Sequence, residues 1–133
     1  LGAQYVPLDE LLERADFVSL TTPLTDETRG LIGRRELGLM KQTAILINVA
    51  RGGIVDHDAL LEALQSGQIA AAGLDVTEPE PLPRDHPLLQ LDNVVIAPHL
   101  GSCTRQTRQA MAQRTIDNLS AGLEGRELPN RIA

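Results

Sequence analysis

Four short apolar runs, each closed by a polar residue and separated from the next by residues at helical spacing, constrain this chain most. The runs cover residues 17–20, 44–49, 69–76 and 94–97. Runs of this length bounded by turn residues read as strands of a parallel sheet. The segments between them read as helices, and neither hairpin signals nor an internal repeat occurs. Strand–helix alternation of this kind calls for an α/β fold, a Rossmann-like doubly wound parallel sheet, with four strands making about half of it. No G-x-G-x-x-G is present. If the fold binds a dinucleotide, its phosphate loop belongs upstream of Leu1. The sequence opens in mid-pattern at Leu1 without a methionine, and we read it as a piece of a longer domain.

The helices have recognisable ends. Leu8, Leu11, Leu12 and Ala15 recur at helical spacing over 7–15, with Asp9 and Glu10 in the first turn. Residues 34–40 suit a short helix. Asp56 opens another whose inner face is Leu60, Leu61 and Leu64, and Gly67 stops it. Residues 77–93 form a loop carrying Pro79, Pro81, Pro83 and Pro87. Ser102 or Thr104 caps a final helix that runs to about Gly122 or Glu124. Its stripe of Met111, Ala112, Ile116, Leu119 and Leu123 is expected in the core.

Composition narrows the function. Hydrophobic residues make up 42% and aromatic residues 2%, so the core is aliphatic. The net charge of −6 argues against nucleic acid as a partner. Residues 1–98 carry seven basic and fifteen acidic side chains, whereas residues 99–133 carry five and three. That basic tail is dilute and reads as a solvated helix face. A single cysteine, Cys103, excludes an internal disulfide and points to a reducing, cytoplasmic setting. No apolar run approaches the roughly 20 residues of a membrane span, and no secretory signal opens the sequence, so no membrane role is expected.

Chemistry gathers where the strands end. The first run closes at Thr22-Pro23, the second at Arg51, the third at Asp75 with Glu78 and Glu80 after it, and the fourth at His99. In a parallel sheet those ends share one edge, which is where open α/β sheets bind ligands. Pro98 stops the fourth strand and leaves His99 just beyond it. Histidine most readily exchanges a proton near neutral pH, so His99 is the candidate acid/base. Arg51 carries a planar fork suited to a carboxylate, though a structural salt bridge would also explain it. Its neighbours Gly52 and Gly53 permit close approach of a ligand or another backbone. Asp75 either caps its loop or meets a polar ligand group. A carboxylate beside His99 would favour the imidazolium, but spacing does not choose between Glu78 and Glu80. His57 reads as part of a solvated helix start, His86 as a turn residue and Cys103 as a small packed side chain. No pattern of metal ligands appears.

Three segments carry a resemblance: 48–56 (Asn-Val-Ala-Arg-Gly-Gly-Ile-Val-Asp), 73–81 (Gly-Leu-Asp-Val-Thr-Glu-Pro-Glu-Pro) and 98–102 (Pro-His-Leu-Gly-Ser). In order and spacing the chain resembles the D-isomer-specific 2-hydroxyacid dehydrogenases. Thr77, the Pro81-Leu82-Pro83 run, residues 86–89 and residues 122–125 look most like the glyoxylate/hydroxypyruvate reductases within it. The resemblance implies that residues 1–121 are the later part of an NAD(P)-binding domain. Residues 122–133 would lead back to a substrate domain that is mostly absent. It implies Arg51, Glu80 and His99 as the catalytic set, with Glu80 chosen over Glu78. Asp75, Val49 and Ala50 would lie beside the nicotinamide, Thr22, Pro23 and Thr28 along the cofactor, and Gly101 and Ser102 near nicotinamide and substrate.

The implied reaction is NAD(P)H-dependent reduction of a small 2-oxo acid, glyoxylate or hydroxypyruvate, to the D-2-hydroxy acid. Arg51 would hold the carboxylate and polarise the ketone, and His99 supported by Glu80 would supply the proton. The cofactor implied is NADP, with NAD as the other choice, and the full-length protein would be a homodimer. This chain by itself should have little or no activity. Two alternatives stand beside this reading. One is another dehydrogenase of the family, of phosphoglycerate or lactate type. The other is a nucleotide-sensing, corepressor-like binding protein, whose relatives usually carry an aromatic soon after the histidine; Leu100-Gly101-Ser102 has none.

Overall fold

All four expected strands form: β1 (Phe17–Leu20), β2 (Ile45–Asn48), β3 (Ala71–Leu74) and β4 (Val94–Ile96). They lie side by side in the order β1-β2-β3-β4, and every pair is parallel. The register sets Leu20 opposite Asn48, Asn48 opposite Leu74, and Leu74 opposite Ile96. The carboxyl ends of the strands therefore stand level along one edge. The computed structural model describes residues 2–132, and Leu1 and Ala133 lie outside them. The chain divides into two compact units, one ending at His99 and one beginning at Leu100.

Three helices belong to the first unit: α1 (Leu8–Arg14), α2 (Arg34–Leu39) and α3 (His57–Gln65). Their ends follow from local chemistry. Asp9 and Glu10 sit in the first turn of α1 and Arg14 in its last, matching the helix dipole. The Glu36 carboxylate accepts from Gly33 N–H at the start of α2. The Asp56 side chain accepts from the N–H groups of Asp58 and Ala59 at 3.0 Å each, capping α3. Gly67 closes it with φ +70°, a conformation that costs glycine little. Arg35 pairs with Asp9 and Arg34 with Glu62, tying α1 to α2 and α2 to α3 on the surface. Exposed pairs of this kind add little to stability.

One face of the sheet carries the core. Val18, Leu20, Leu46, Ala72 and Leu74 are buried with Leu12, Leu37, Leu60 and Leu64 of the helices. The other face presents Phe17, Ser19, Ile45, Ile47, Ala71, Gly73 and Val95, as the register requires. Val95 is 73% and Phe17 67% exposed. The strands are thus buried at alternate residues only, because α1, α2 and α3 pack on a single face.

Three further expectations are corrected. His57 is not solvated: it is buried at the start of α3, and its Nε2 has no hydrogen-bond partner among the described residues. Burial first, and then the neighbouring charge of His86, hold its pKa below the usual histidine value. In the second unit, α4 (Arg105–Leu123) is capped by Thr104, whose Oγ1 accepts from Thr107 N–H at 3.1 Å. Its tail returns so that Asn118 and Asn130 bond one another. Met111, Ile116, Leu119 and Leu123 are exposed, Leu119 by 62%. They are not core within this unit, because one helix and a short tail offer no facing surface that could cover such a stripe. Cys103 is likewise exposed rather than packed, and its Sγ accepts from Arg108 at 2.8 Å. Among the described residues, no helix is long and apolar enough to cross a membrane.

Leu46 is fully buried in the middle of the sheet. Leu46→Ala should cost about 2–5 kcal/mol in a denaturant titration, by loss of transfer energy and an incompletely closed cavity. His57 should impose a pH dependence. Below the ordinary value of 6.5 the unfolded chain takes up a proton that folded His57 resists, so stability falls as pH drops toward the lowered folded value. Melting temperatures recorded between pH 7 and 5 should fall less steeply in His57→Leu than in the parent chain.

Candidate active site

The turn after β2 is organised by Asn48, the last residue of that strand and a fully buried one. Its Oδ1 accepts from Ala50 N–H at 3.1 Å, and its Nδ2 donates to the Arg51 carbonyl at 2.9 Å. Both bonds stay within one tight turn. The Asn48 carbonyl also accepts from Asp75 N–H at 2.9 Å, joining the ends of β2 and β3. Arg51 emerges exposed from this turn, with Nη1 donating to the Ala50 carbonyl at 2.7 Å. Gly52 and Gly53 follow without a side chain for a physical reason. A Cβ at Gly52 would overlap the backbone of Thr77, and one at Gly53 would overlap the Glu78 carboxylate. It is another backbone, the loop after β3, that makes the close approach the glycine pair allows.

His99 is held by the same kind of main-chain bonding one strand further on. Ala97 N–H donates to the Leu74 carbonyl at 2.8 Å, and His99 N–H donates to the Asp75 carbonyl at 2.9 Å. The His99 backbone sits at φ +55°, the one positive φ outside glycine among the described residues. L-residues enter this region at a cost and do so mainly at turns and functional sites. The conformation turns the chain sharply after Pro98. His99 Nδ1 then lies 2.7 Å from Glu80 Oε1. A carboxylate can only accept, so this contact assigns the ring proton on that side to Nδ1 and leaves Nε2 for exchange. Glu78 goes elsewhere: Arg29 Nη1 reaches its two carboxylate oxygens at 3.1 and 3.3 Å. The geometry thereby separates the two glutamates that spacing left equivalent. Thr77 is buried, and its hydroxyl donates to the Pro79 carbonyl at 2.9 Å, bracing the loop between them.

Two clefts open along this edge. One, of about 760 Å³, is lined by Thr21, Thr22, Pro23, Leu24, Val49, Ala50 and Arg51 at the ends of β1 and β2. Its lining brings a guanidinium and no carboxylate, a composition compatible with an anionic nucleotide or acid. The other, of about 470 Å³, is lined mostly by apolar groups at the ends of β3 and β4, with Asp75 and Glu80 at its polar margin. Thr22, Pro23, Val49, Ala50 and Arg51 are thus together in one cleft, and Asp75 and Glu80 together in the next. Thr28 lines neither: its hydroxyl donates to the Pro23 carbonyl at 2.7 Å and shapes the loop that bears the first cleft. Gly101 and Ser102 fall in the second unit, in the turn ahead of α4. Sequence reasoning passed over Asn48 and Arg29. The signal for Asn48 was there, a lone amide inside an otherwise aliphatic run. Arg29 had no such signal, since its partner lies 49 residues away.

Comparison with known proteins gives a consistent picture. The family model described as "D-isomer specific 2-hydroxyacid dehydrogenase, NAD binding domain" matches residues 1–101. A glyoxylate reductase of Korarchaeum cryptofilum is 54% identical over 132 residues, 99% of this chain and 40% of its own length. A glyoxylate/hydroxypyruvate reductase B of Pectobacterium atrosepticum is 56% identical over 131 residues, 98% of this chain and 41% of its own. The chain therefore spans about two fifths of the length of these relatives. Among solved structures, a protein of Thermus thermophilus superposes with TM-score 0.95 at 55% identity, over 100% of this chain and 42% of that one. A D-lactate dehydrogenase of Lactobacillus jensenii with NAD+ has TM-score 0.86 at 35% identity, over 97% and 43%. A Xanthobacter autotrophicus dehydrogenase in complex with NADPH and MES has TM-score 0.75 at 40% identity, over 95% and 51%.

Asn48→Ala removes both bonds of the Arg51 turn and leaves Ala50 N–H without its acceptor. Such a loss costs about 1–3 kcal/mol. A lowered melting temperature is expected, together with a reduced kcat/KM in the full-length protein.

Proposed function

The chain belongs to the D-isomer-specific 2-hydroxyacid dehydrogenases, with the parallel sheet of their NAD-binding domain, and from that membership we propose that it forms part of an NAD(P)H-dependent reductase of glyoxylate and hydroxypyruvate. In this reading residues 1–121 are the later part of the nucleotide-binding domain. Residues 122–133 lead back to the substrate domain of a longer, cytoplasmic, homodimeric protein. The observation that carries the chemistry is the 2.7 Å contact between His99 Nδ1 and Glu80 Oε1 at the end of the fourth strand. It supports an acid/base histidine with its outer nitrogen left for the substrate.

Each residue then has a task. The fork of Arg51 binds the substrate carboxylate with two parallel hydrogen bonds and draws charge toward the ketone oxygen. Val49, Ala50 and Asp75 are assigned to the nicotinamide end of the cofactor, Thr22, Pro23 and Thr28 to the wall along it, and Gly101 and Ser102 to the nicotinamide and substrate. The nicotinamide, when bound, supplies the hydride. His99 Nε2–H protonates the oxygen that was the ketone, while Glu80 keeps the ring oriented through Nδ1–H. NADP is proposed as the favoured cofactor and NAD as the second. The reductases at 54–56% identity support this substrate class over the lactate type, whose structural neighbours include ones at 35% and 39%. They also favour an enzyme over a corepressor-like binding protein.

A panel of 2-oxo acids assayed with NADPH and NADH in the full-length protein tests the reading. Glyoxylate and hydroxypyruvate should be reduced fastest, and equal rates on pyruvate would overturn the substrate assignment. His99→Ala should lower kcat by about 10²–10⁴ with cofactor binding retained, the range expected for loss of general acid catalysis. Arg51→Lys should raise KM for the oxo acid and lower kcat/KM, because a point charge cannot replace the fork.

A further inference from the structure

Resting on the proposed roles of Arg51, Glu80 and His99, we infer that Arg29 and Glu78 form a clamp that positions the catalytic loops and is itself required for turnover. The two glutamates of the loop after β3 divide the work. Glu80 contacts His99, and two residues earlier Glu78 is engaged through both its oxygens by Arg29 Nη1. Arg29 comes from the turn after β1, 49 residues away. That turn is bonded to the Arg51 segment: Gly30 N–H donates to the Gly53 carbonyl at 2.8 Å and Ile32 N–H to the Ile54 carbonyl at 3.0 Å. The Arg51 segment in turn touches the Glu80 loop, with Thr77 against Gly52 and the Glu78 carboxylate against Gly53.

Three chain segments from three strand ends therefore meet at one ion pair. A Cβ on Gly53 would overlap the Glu78 carboxylate and lie 2.9 Å from Arg29 Nη1, so the pair rests directly over that glycine. The pair crosses from the first loop to the third over the floor of the second. Its position fixes where the backbone of Glu80 can go relative to the backbone of Arg51.

Exposure decides what kind of role this is. The side chains of Arg29 and Glu78 are 56% and 50% exposed. A pair this open to water contributes little to global stability, and the main-chain bonds around it hold the fold without it. What it restricts is the loop. A catalytic group displaced by a fraction of an ångström loses much of its effect. Arg29 and Glu78 are thus positioning residues, acting through Glu80 and Arg51 without touching substrate.

The test compares Arg29→Met, Glu78→Gln and the charge-swapped pair Arg29→Glu/Glu78→Arg with Glu80→Gln and His99→Ala, all in the full-length protein. Arg29→Met and Glu78→Gln should each lower kcat on glyoxylate by about tenfold, the scale of a misplaced catalytic group. The cofactor KM and the melting temperature should stay near the parent values. The swapped pair should recover most of the lost kcat, a rescue that simple loss of packing would not show. If Glu80→Gln and His99→Ala lose turnover while Arg29→Met and Glu78→Gln keep it, the clamp is wrong and the catalytic reading stands. If Glu80→Gln and His99→Ala themselves keep turnover, the catalytic reading fails and the clamp with it. A fall in melting temperature that tracks the loss in kcat, without rescue by the swap, would also overturn the clamp.

Discussion

Main-chain bonding across four parallel strands sets Leu20, Asn48, Leu74 and Ile96 at one level, and every element of the site hangs from that register. Parallel pairing leaves each strand to end on the same edge, so residues dozens of positions apart arrive side by side. The bonding does not stop where the strands stop. Asp75 N–H continues it to the Asn48 carbonyl, Ala97 N–H to Leu74, and His99 N–H to Asp75. The histidine is in effect the last rung of the β3–β4 ladder, reached through a backbone conformation that L-residues enter at a cost. A shift of one residue in the register would turn the core face of each strand outward and move His99 away from Glu80.

The loops on that edge are built by close approach. Gly52 and Gly53 are small because the loop after β3 lies on them, and Asn48 is polar because two main-chain groups of the Arg51 turn need partners inside the protein. Asn48 and Thr77, both buried, are satisfied within their own turns: Asn48 by Ala50 and Arg51, and Thr77 by Pro79. The side chains proposed as catalytic can stay exposed because the residues beneath them are the ones that are fixed. Preorganisation of this kind is what electrostatic catalysis requires.

Much of this was legible in the sequence. Aliphatic runs at the right spacing located all four strands, and Asp56 and Gly67 marked the ends of α3. That Arg51, Glu80 and His99 each follow a strand end on one edge could be read from parallel strands alone. The choice of Glu80 over Glu78 came from the family resemblance and not from spacing, and no local pattern announces Arg29, which engages Glu78. His57 was misread for a related reason. Its neighbours Asp56 and Asp58 are polar, but α3 turns His57 into the protein while leaving both aspartates outside. The stripe on α4 was read as core because apolar periodicity records which face of a helix is meant to be covered, and it is silent on whether the cover lies in the same unit.

The proposed chemistry rests on the roles assigned to Arg51 and His99 toward one substrate, and a crystal structure of the full-length protein with reduced-cofactor analogue and 2-oxo acid bound tests them together. His99 Nε2 should lie at about 3 Å from the ketone oxygen and two of the Arg51 guanidinium nitrogens at about 3 Å from the carboxylate, ordinary hydrogen-bond lengths. A complex in which the ketone oxygen lies against another donor, with His99 Nε2 beyond hydrogen-bond reach and no intervening water, would contradict it.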